Sequence, residues 1–354
     1  MKIKLAILES DQSYLNRIVT AFSTKYSDKF QIYSFTNPDM AFNVLESEKI
    51  DVLIANDSFD IDVSALPQRC TFAYFVDSKD VDTHNEQVAI SKFQKAEMIY
   101  KQILSLYSEN AGKLTGLKLN DDASKLFVFA TPSGGAGSSA MAAACAKHFA
   151  SKGKKTLYLN LEDFGSSDVF FSGEGQFNMS DIIFALKSKK ANLSMKLESC
   201  VKQDESGVYF FSQSNVALDM LELTNEEKLR LISELKLTGS YDYIILDMDF
   251  GLSKDFMNIY KQANSIVAVG DGSDSSNSKI HRAYVALSTM EQGSDVTIAN
   301  RLLLLYNKFS NKTGKALADT DIKNIGGAPR YEHATVSQVV DQLSKLSDLD
   351  KIDF

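Results

Sequence analysis

A glycine-rich turn between an apolar run and an alanine-rich run constrains the fold of this 354-residue chain more than any other feature. Residues 126–130 are apolar, and Ser133-Gly134-Gly135-Ala136-Gly137-Ser138-Ser139 follows them. The next residues, to Ala150, are small and favour a helix that Gly153 would end. The glycines permit positive φ and let backbone N–H groups approach an anion at a helix start. The pattern therefore predicts a phosphate-binding loop, with a flexible connector as the alternative.

Apolar runs recur through the rest of the chain with helical patterns between most of them, as in a buried parallel sheet. After residue 125 we predict strands at 126–130, 156–161, 208–212, 243–246, 265–269 and 302–306. Before residue 110 we predict five strands, at 3–8, 30–34, 51–55, 72–76 and 88–90, with little helical pattern after Asp57. Residues 108–125 are polar and contain glycine. We therefore expect two doubly wound α/β domains, 1–110 and 125–354, with a linker at 111–124.

The composition and charge of the chain disfavour several classes of function and location. The formal charge of −8 disfavours sequence-independent binding to nucleic acid, which uses clustered Lys and Arg. Three widely spaced cysteines without a CxxC motif fit a reduced compartment. The apolar start at 3–8 is shorter than a signal peptide core, and no apolar run reaches membrane-helix length. We expect a cytoplasmic protein without membrane insertion.

The glycine turn resembles the deviant Walker A motif of MinD/ParA ATPases, Lys-Gly-Gly-x-Gly-Lys-Ser/Thr. Ser133 stands where the family has its signature lysine, and Ser138 where it has the lysine that grips the β- and γ-phosphates. The resemblance implies bound ATP and Mg²⁺, with Ser139 as a magnesium ligand. It also implies that Asp247 holds Mg²⁺ through water and that Glu162 positions the attacking water. Asn160 replaces an aspartate of the family pattern.

Two later segments resemble the part of the family that binds the base. Asn307 follows an apolar strand, where the family places an adenine-recognising asparagine, whose amide can donate and accept at once. Ala328-Pro329-Arg330 resembles the proline turn that closes over the base. Without either lysine, affinity for ATP should fall, because a charge-assisted hydrogen bond contributes about 1.5–3 kcal/mol. Hydrolysis should fall further, since one preorganised donor is worth about 10²–10³ in rate.

Residues 1–110 resemble a response-regulator receiver with a damaged phosphorylation site. Glu9 and Asp11 match its acidic pair, but Asn56 occupies the position of the phospho-acceptor aspartate. Asp57 is adjacent but out of register. Ser78 and Lys92 correspond to the receiver's hydroxyl and lysine. The pattern favours an interaction module that is not phosphorylated over a phosphorylated receiver.

A receiver-like domain followed by a MinD/ParA-like domain with a lysine-poor loop resembles the TadZ/CpaE family, which localises tight-adherence pilus machinery at the bacterial cell pole. The resemblance implies homodimerisation through the ATPase domain and recruitment of other pilus-assembly proteins by the receiver-like domain. A cycling ParA/MinD-type ATPase and a receiver-controlled signalling protein are the alternatives. The apolar stripe at 336–346 lacks the basic face of a membrane-surface helix, so we expect it to pack on the sheet.

Overall fold

The computed structural model describes residues 2–110, 124–188, 192–291, 297–318 and 320–353. The chain divides into two compact units, Met1–Gly116 with Ser188–Cys200, and Leu117–Lys187 with Val201–Phe354. The predicted linker 111–124 lies outside the described residues, except for Ser124. One short segment from within the second half of the chain therefore belongs to the first unit.

The elements before residue 111 alternate between strands and helices as far as the third strand, after which three further strands precede the last helix. They are β1 (Ile3–Leu8), α1 (Gln12–Lys25), β2 (Phe30–Phe35), α2 (Pro38–Ser47), β3 (Val52–Asn56), β4 (Thr71–Val76), β5 (Thr83–His84), β6 (Gln87–Ser91) and α3 (Ala96–Asn110). Asp11 and Asn37 start the first two helices by accepting hydrogen bonds from N–H groups of the opening turn. A single 3₁₀ turn, Val63–Ala65, lies between β3 and β4.

The sheet of the first unit has the order β2-β1-β3-β4-β6-β5. Its strands pair in parallel, except that β5 runs antiparallel to β6. Alternate residues of β1 face opposite sides: Leu5 and Ile7 pack with α1 and α3, whereas Ala6 and Leu8 pack with α2. The predicted α/β fold is confirmed, with the two-residue β5 as an addition that the sequence did not indicate.

The elements after residue 124 also mix strands and helices, with one to three helices between most of the strands. They are β7 (Lys125–Phe129), α4 (Ser138–Ser151), β8 (Thr156–Asn160), α5 (Ser167–Phe170), α6 (Met179–Lys187), α7 (Leu193–Cys200), β9 (Lys202–Gln203), β10 (Tyr209–Phe210), α8 (Ala217–Leu221), α9 (Asn225–Leu237), β11 (Tyr243–Asp247), α10 (Lys254–Gln262), β12 (Ser265–Gly270), α11 (Asp274–Met290), β13 (Leu302–Phe309), β14 (Lys323–Pro329) and α12 (Val336–Leu343). Helix α7 belongs to the first unit, where Lys196 donates to Ser105 Oγ at 2.7 Å.

The sheet of the second unit has the order β14-β13-β12-β7-β11-β8-β10-β9, with β9 antiparallel to β10 and the other pairings parallel. Strand β7 lies between β11 and β12. The strands that follow it in the chain therefore add to the sheet on both of its sides. Such a switch point leaves a crevice at the carboxyl ends of the strands. The fold therefore places the turn after β7 at the opening of this crevice.

Helix α12 begins with a capping box in which Thr335 and Gln338 bond to each other's backbone N–H groups. Its Val340 and Leu343 are buried in the core beneath α4. The buried part of the stripe predicted to pack on the sheet contacts α4, whereas Val336 at its start is exposed. No helix in the described part of the chain is long and apolar enough to cross a membrane.

Candidate functional site

The turn after β7 is shaped by two glycines in left-handed conformations. Gly135 has φ of 79°, and Gly137, the N-cap of α4, has φ of 87°. Among the described residues, no side chain caps α4, so its first N–H groups have no side-chain acceptor there. A β-carbon on Gly134 or Gly135 would meet no atom within 4 Å, so open space adjoins the loop backbone. This arrangement suits an anion at the start of α4.

Three parallel strands bring the predicted acidic and polar residues toward this turn. Asp247 is the last residue of β11 and lies level with Phe129 of β7 and Asn160 of β8. Ser139, in the first turn of α4, donates to Glu162 Oε1 at 3.3 Å. The structure thus gathers Ser139, Glu162 and Asp247 at one edge of the sheet, because parallel strands end together there.

Asp247 is the most deeply buried of these residues, at 1% exposure. Its Oδ2 accepts hydrogen bonds from the Tyr158 hydroxyl at 2.7 Å and from Asn160 Nδ2 at 3.1 Å. Its Oδ1 has no hydrogen-bond partner among the described residues, and the same holds for the buried Ser138 Oγ. Buried polar atoms are nearly always paired in folded proteins. Two unpaired atoms beside the loop therefore suit a polar ligand that would complete them.

Burial, and next the negative charge of Glu162, raise the pKa of Asp247 to about 8. A cation beside both carboxylates would offset this repulsion and the loss of hydration. Carboxylate and hydroxyl oxygens are the ligands that Mg²⁺ prefers, with water and phosphate oxygens completing its shell. The described residues hold no cluster of three or more His, Cys, Asp or Glu able to bind a metal by themselves. The donor set fits a magnesium ion shared with phosphate.

The residues predicted to bind the base are divided between two places. Asn307 is 2% exposed and donates through Nδ2 to the carbonyl of Ala136 at 2.9 Å, so it contacts the loop backbone. Ala328 and Pro329 end β14 and line an open cavity of about 450 Å³, together with the aromatic Tyr306 and Phe309. Arg330 is exposed and is not among the lining residues. The adenine role of Asn307 stays a prediction.

Sequence reasoning missed Tyr158 and the two aromatic residues of β13. Tyr158 lies two residues before Asn160 in β8, and alternation along a strand places both on one face. This spacing was the available signal for its contact with Asp247. The sequence contained no comparable signal for the cavity at Tyr306 and Phe309, because its walls also come from β14.

In the receiver-like site of the first unit, the polar side chains bond to one another. Glu9 is fully buried, and both of its carboxylate oxygens accept from Asn56 Nδ2, at 3.0 and 3.1 Å. Lys92 Nζ lies 3.5 Å from Glu9 Oε2 and 2.7 Å from Asp77 Oδ1. Asp11, predicted as the second member of an acidic pair, caps α1 by accepting from the N–H groups of Ser13 and Tyr14. Ser78 is exposed.

Comparison with known proteins finds a family model that matches the first part of the chain. Residues 1–108 match the family model described as TadZ-like, receiver domain. No curated protein matches the sequence.

Among solved structures, a ParA family ATPase from Chlorobium tepidum has a TM-score of 0.49 and 19% identity, covering 65% of this chain and 98% of its own. A chain of the MinC:MinD cell division protein complex from Aquifex aeolicus has a TM-score of 0.48 and 17% identity, covering 63% of this chain and 95% of its own. The septum site-determining protein MinD from Pyrococcus horikoshii, complexed with Mg-ADP, has a TM-score of 0.49 and 16% identity, covering 65% and 96%.

Proposed function

Since residues 1–108 match the model of a TadZ-like receiver domain, we propose that the chain is an ATP-binding scaffold that localises the assembly machinery of tight-adherence pili at the cell pole. One observation carries the nucleotide part of the proposal. Ser138 Oγ and Asp247 Oδ1 are buried without hydrogen-bond partners in the described part of the chain, beside a glycine loop that opens an uncapped helix. A polyphosphate with Mg²⁺ would satisfy these groups together.

In this proposal the loop backbone from Gly134 to Ser139 binds the phosphates through its N–H groups. Ser139 would ligate Mg²⁺ through its hydroxyl, and Asp247 would hold the ion through water. The ion would supply positive charge that offsets the charge of the phosphates. Asn160 and Tyr158 orient Asp247 through the two hydrogen bonds to Oδ2. Pro329 and Arg330 would border the base. Asn307 donates to the carbonyl of Ala136 in the loop, and its recognition of adenine stays part of the proposal.

We expect slow hydrolysis of ATP because Ser133 and Ser138 stand where related loops have lysines. Phosphoryl transfer depends on positioned charge that stabilises the transferring group. Serine offers a neutral hydroxyl in place of an ammonium at both positions. With two such donors absent, we expect turnover lower than that of lysine-containing loops by about 10² or more.

The receiver-like domain acts in this proposal as a docking module for other pilus-assembly proteins. Asn56 cannot accept a phosphoryl group as an aspartate does, and its amide is held by Glu9. The ATP-binding unit forms a homodimer, which gives the scaffold two receiver domains. The cytoplasmic face of the pole is the proposed location.

Light scattering and calorimetry of the full chain test association and binding together. We expect calorimetric binding of ATP that strengthens with Mg²⁺, and a doubling of the scattering mass when Mg-ATP is present. A chain that binds neither ATP nor ADP at millimolar concentration would contradict the proposal. A dimer of unchanged mass with and without nucleotide would contradict only the role of ATP in association.

A cycling ATPase is the second candidate, and the position of Glu162 favours it. Its carboxylate contacts both Ser139 and Asn160, at 3.3 and 3.0 Å, and so lies where it could orient water near a phosphate. Ser138→Lys should raise turnover by about tenfold or more if the missing lysine limits the reaction. Wild-type turnover equal to that of the lysine-restored variant would favour the cycling ATPase.

A further inference from the structure

The phosphate-binding loop contains no cationic side chain, yet a cation from another strand reaches it. Lys308 of β13 donates through Nζ to the carbonyl of Gly135 at 2.8 Å. Its Cε lies 3.7 Å from the position that a β-carbon on Gly137 would occupy. The ammonium group therefore lies at the same glycines whose N–H groups form the anion site.

The backbone of β13 directs this side chain. The pairing of β13 with β14 shifts register between Tyr306 and Phe309, and Lys308 between them has φ of 55°. Positive φ is unfavourable for a residue with a β-carbon, and irregularities of this kind re-aim side chains near functional sites. The preceding residue, Asn307, donates to Ala136. Two consecutive side chains of one strand thus contact two consecutive carbonyls of the loop.

The charge of Lys308 is not neutralised by any carboxylate in the described part of the chain. Its hydrogen-bond acceptor there is the neutral carbonyl of Gly135. A carbonyl satisfies one donor and leaves two donors and the positive charge available. The flexible four-carbon stem can move the ammonium group from the carbonyl to a nearby anion without moving the backbone.

We propose that Lys308 binds the polyphosphate of the nucleotide, and so supplies from β13 the positive charge that Ser133 and Ser138 do not supply from the loop. The inference rests on the proposed function, since it concerns the same site. It explains how a loop of glycines and serines could hold a multiply charged ligand. It also means that ATP affinity and hydrolysis rate can depend on different groups. A lysine outside the loop can attract the phosphates without stabilising the charge that develops on the leaving group during hydrolysis.

The test compares Lys308→Met with Lys312→Met, which removes an exposed charge four residues away. Isothermal titration calorimetry with ATP, ADP and AMP, each with Mg²⁺, gives the affinities. We expect Lys308→Met to weaken ATP binding about tenfold or more and AMP binding much less, because a charge-assisted hydrogen bond gains with phosphate charge. Lys312→Met should bind all three ligands as the wild type does.

A purely structural contact with Gly135 would give a different pattern. Losses of equal size for ATP and AMP would show that Lys308 only braces the loop, and would overturn the inference. Lys308→Gln retains a hydrogen-bond donor without the charge, and it should also lose ATP affinity. Thermal unfolding of each variant without ligand identifies any that fail to fold, and Lys308→Arg, which keeps the charge, should then retain most of the ATP affinity.

The outcomes for the inference and for the proposed function are distinguishable. If the wild type binds ATP and Lys308→Met binds it equally well, the inference is wrong and the proposed function stands. If the wild type binds no ATP, both are wrong.

Discussion

Asp247 is buried in a way that favours ligand binding over the stability of the free protein. It lies at the end of a central strand with one oxygen bound twice and the other unpaired in the described part of the chain. Burial and Glu162 raise its pKa, which means that the ionised form is disfavoured in the free protein. Functional sites often retain such groups at the expense of stability.

Asp247→Asn should therefore separate stability from binding. The amide can still accept from Tyr158 but carries no charge, so urea unfolding should show no loss of stability in the free protein. Titration of ATP with Mg²⁺ should show about tenfold weaker binding, while binding in EDTA should change little. Asp321→Asn, at an exposed position away from the loop, is the control. A destabilised variant with unchanged Mg²⁺ dependence would contradict the proposed role of Asp247.

The receiver-like site gives a prediction at the same scale. Asn56 holds Glu9 with both hydrogen bonds from its amide nitrogen, whereas Asp57 is exposed beyond the end of β3. Receiver phosphorylation needs a carboxylate nucleophile at the strand end. Mass spectrometry after treatment with acetyl phosphate should show no added phosphoryl group. Stoichiometric modification at Asp57 would revive the signalling alternative.

Among the elements, the long apolar strands were predictable and the edges of the sheets were not. Strands β1, β7 and β12 carry apolar runs that a buried parallel strand explains. Strands β5 and β9 have two residues each, which is too short for a periodic pattern. Strand β14 contains Gly326 and Gly327, residues that strands generally disfavour. Its pairing depends on β13, which the local sequence does not reveal.

The candidate site also contains residues that the sequence predicts and one residue that it does not predict. Glu162 and Asp247 follow or end apolar strands and Ser139 opens the helix after another, so their convergence follows from strand direction alone. Lys308 reaches the loop only because of a register shift and a positive φ in β13. Neither feature has a sequence signal when the residue is a lysine. Tertiary geometry therefore determined the part of the site that pattern reasoning could not reach.

The end of the chain offers a stability prediction at the scale of elements. Asp353 accepts from Lys125 Nζ of β7 and from the Tyr243 hydroxyl of β11, each at 2.6 Å. Burial alone would raise the pKa of Asp353, but the hydrogen bonds from Lys125 and Tyr243 outweigh it and lower the pKa below its ordinary value. A lowered carboxyl pKa adds stability above the unfolded value of 3.8, and that stability is lost as pH falls below it.

Asp353→Asn should accordingly reduce the free energy of unfolding at pH 7 by about 1 kcal/mol. The difference from the wild type should shrink as urea unfolding is repeated at pH values descending through 3.8. Asp321→Asn, at an exposed position, serves as the control and should match the wild type throughout. A difference that stays constant with pH would show that the carboxylate charge has no part in it.

At the scale of the whole molecule, one chain joins a segment that matches the TadZ-like receiver model to a unit with a glycine loop and two buried polar atoms that lack partners among the described residues. The net charge of −8 favours protein partners over nucleic acid. In the proposed scaffold, bound ATP stabilises the second unit and its dimer while the receiver domain recruits partners. The function of such a scaffold depends more on how long ATP stays bound than on how fast it is hydrolysed.

A single-turnover experiment tests the scaffold proposal most directly. Excess protein is mixed with limiting γ-labelled ATP and Mg²⁺, and protein-bound ATP and released phosphate are followed together over time. We predict that most of the label is retained on the protein as intact ATP, with phosphate released slowly or not at all. Absence of retained label would contradict nucleotide binding, and rapid release of phosphate at the rate of a lysine-containing MinD would contradict the scaffold.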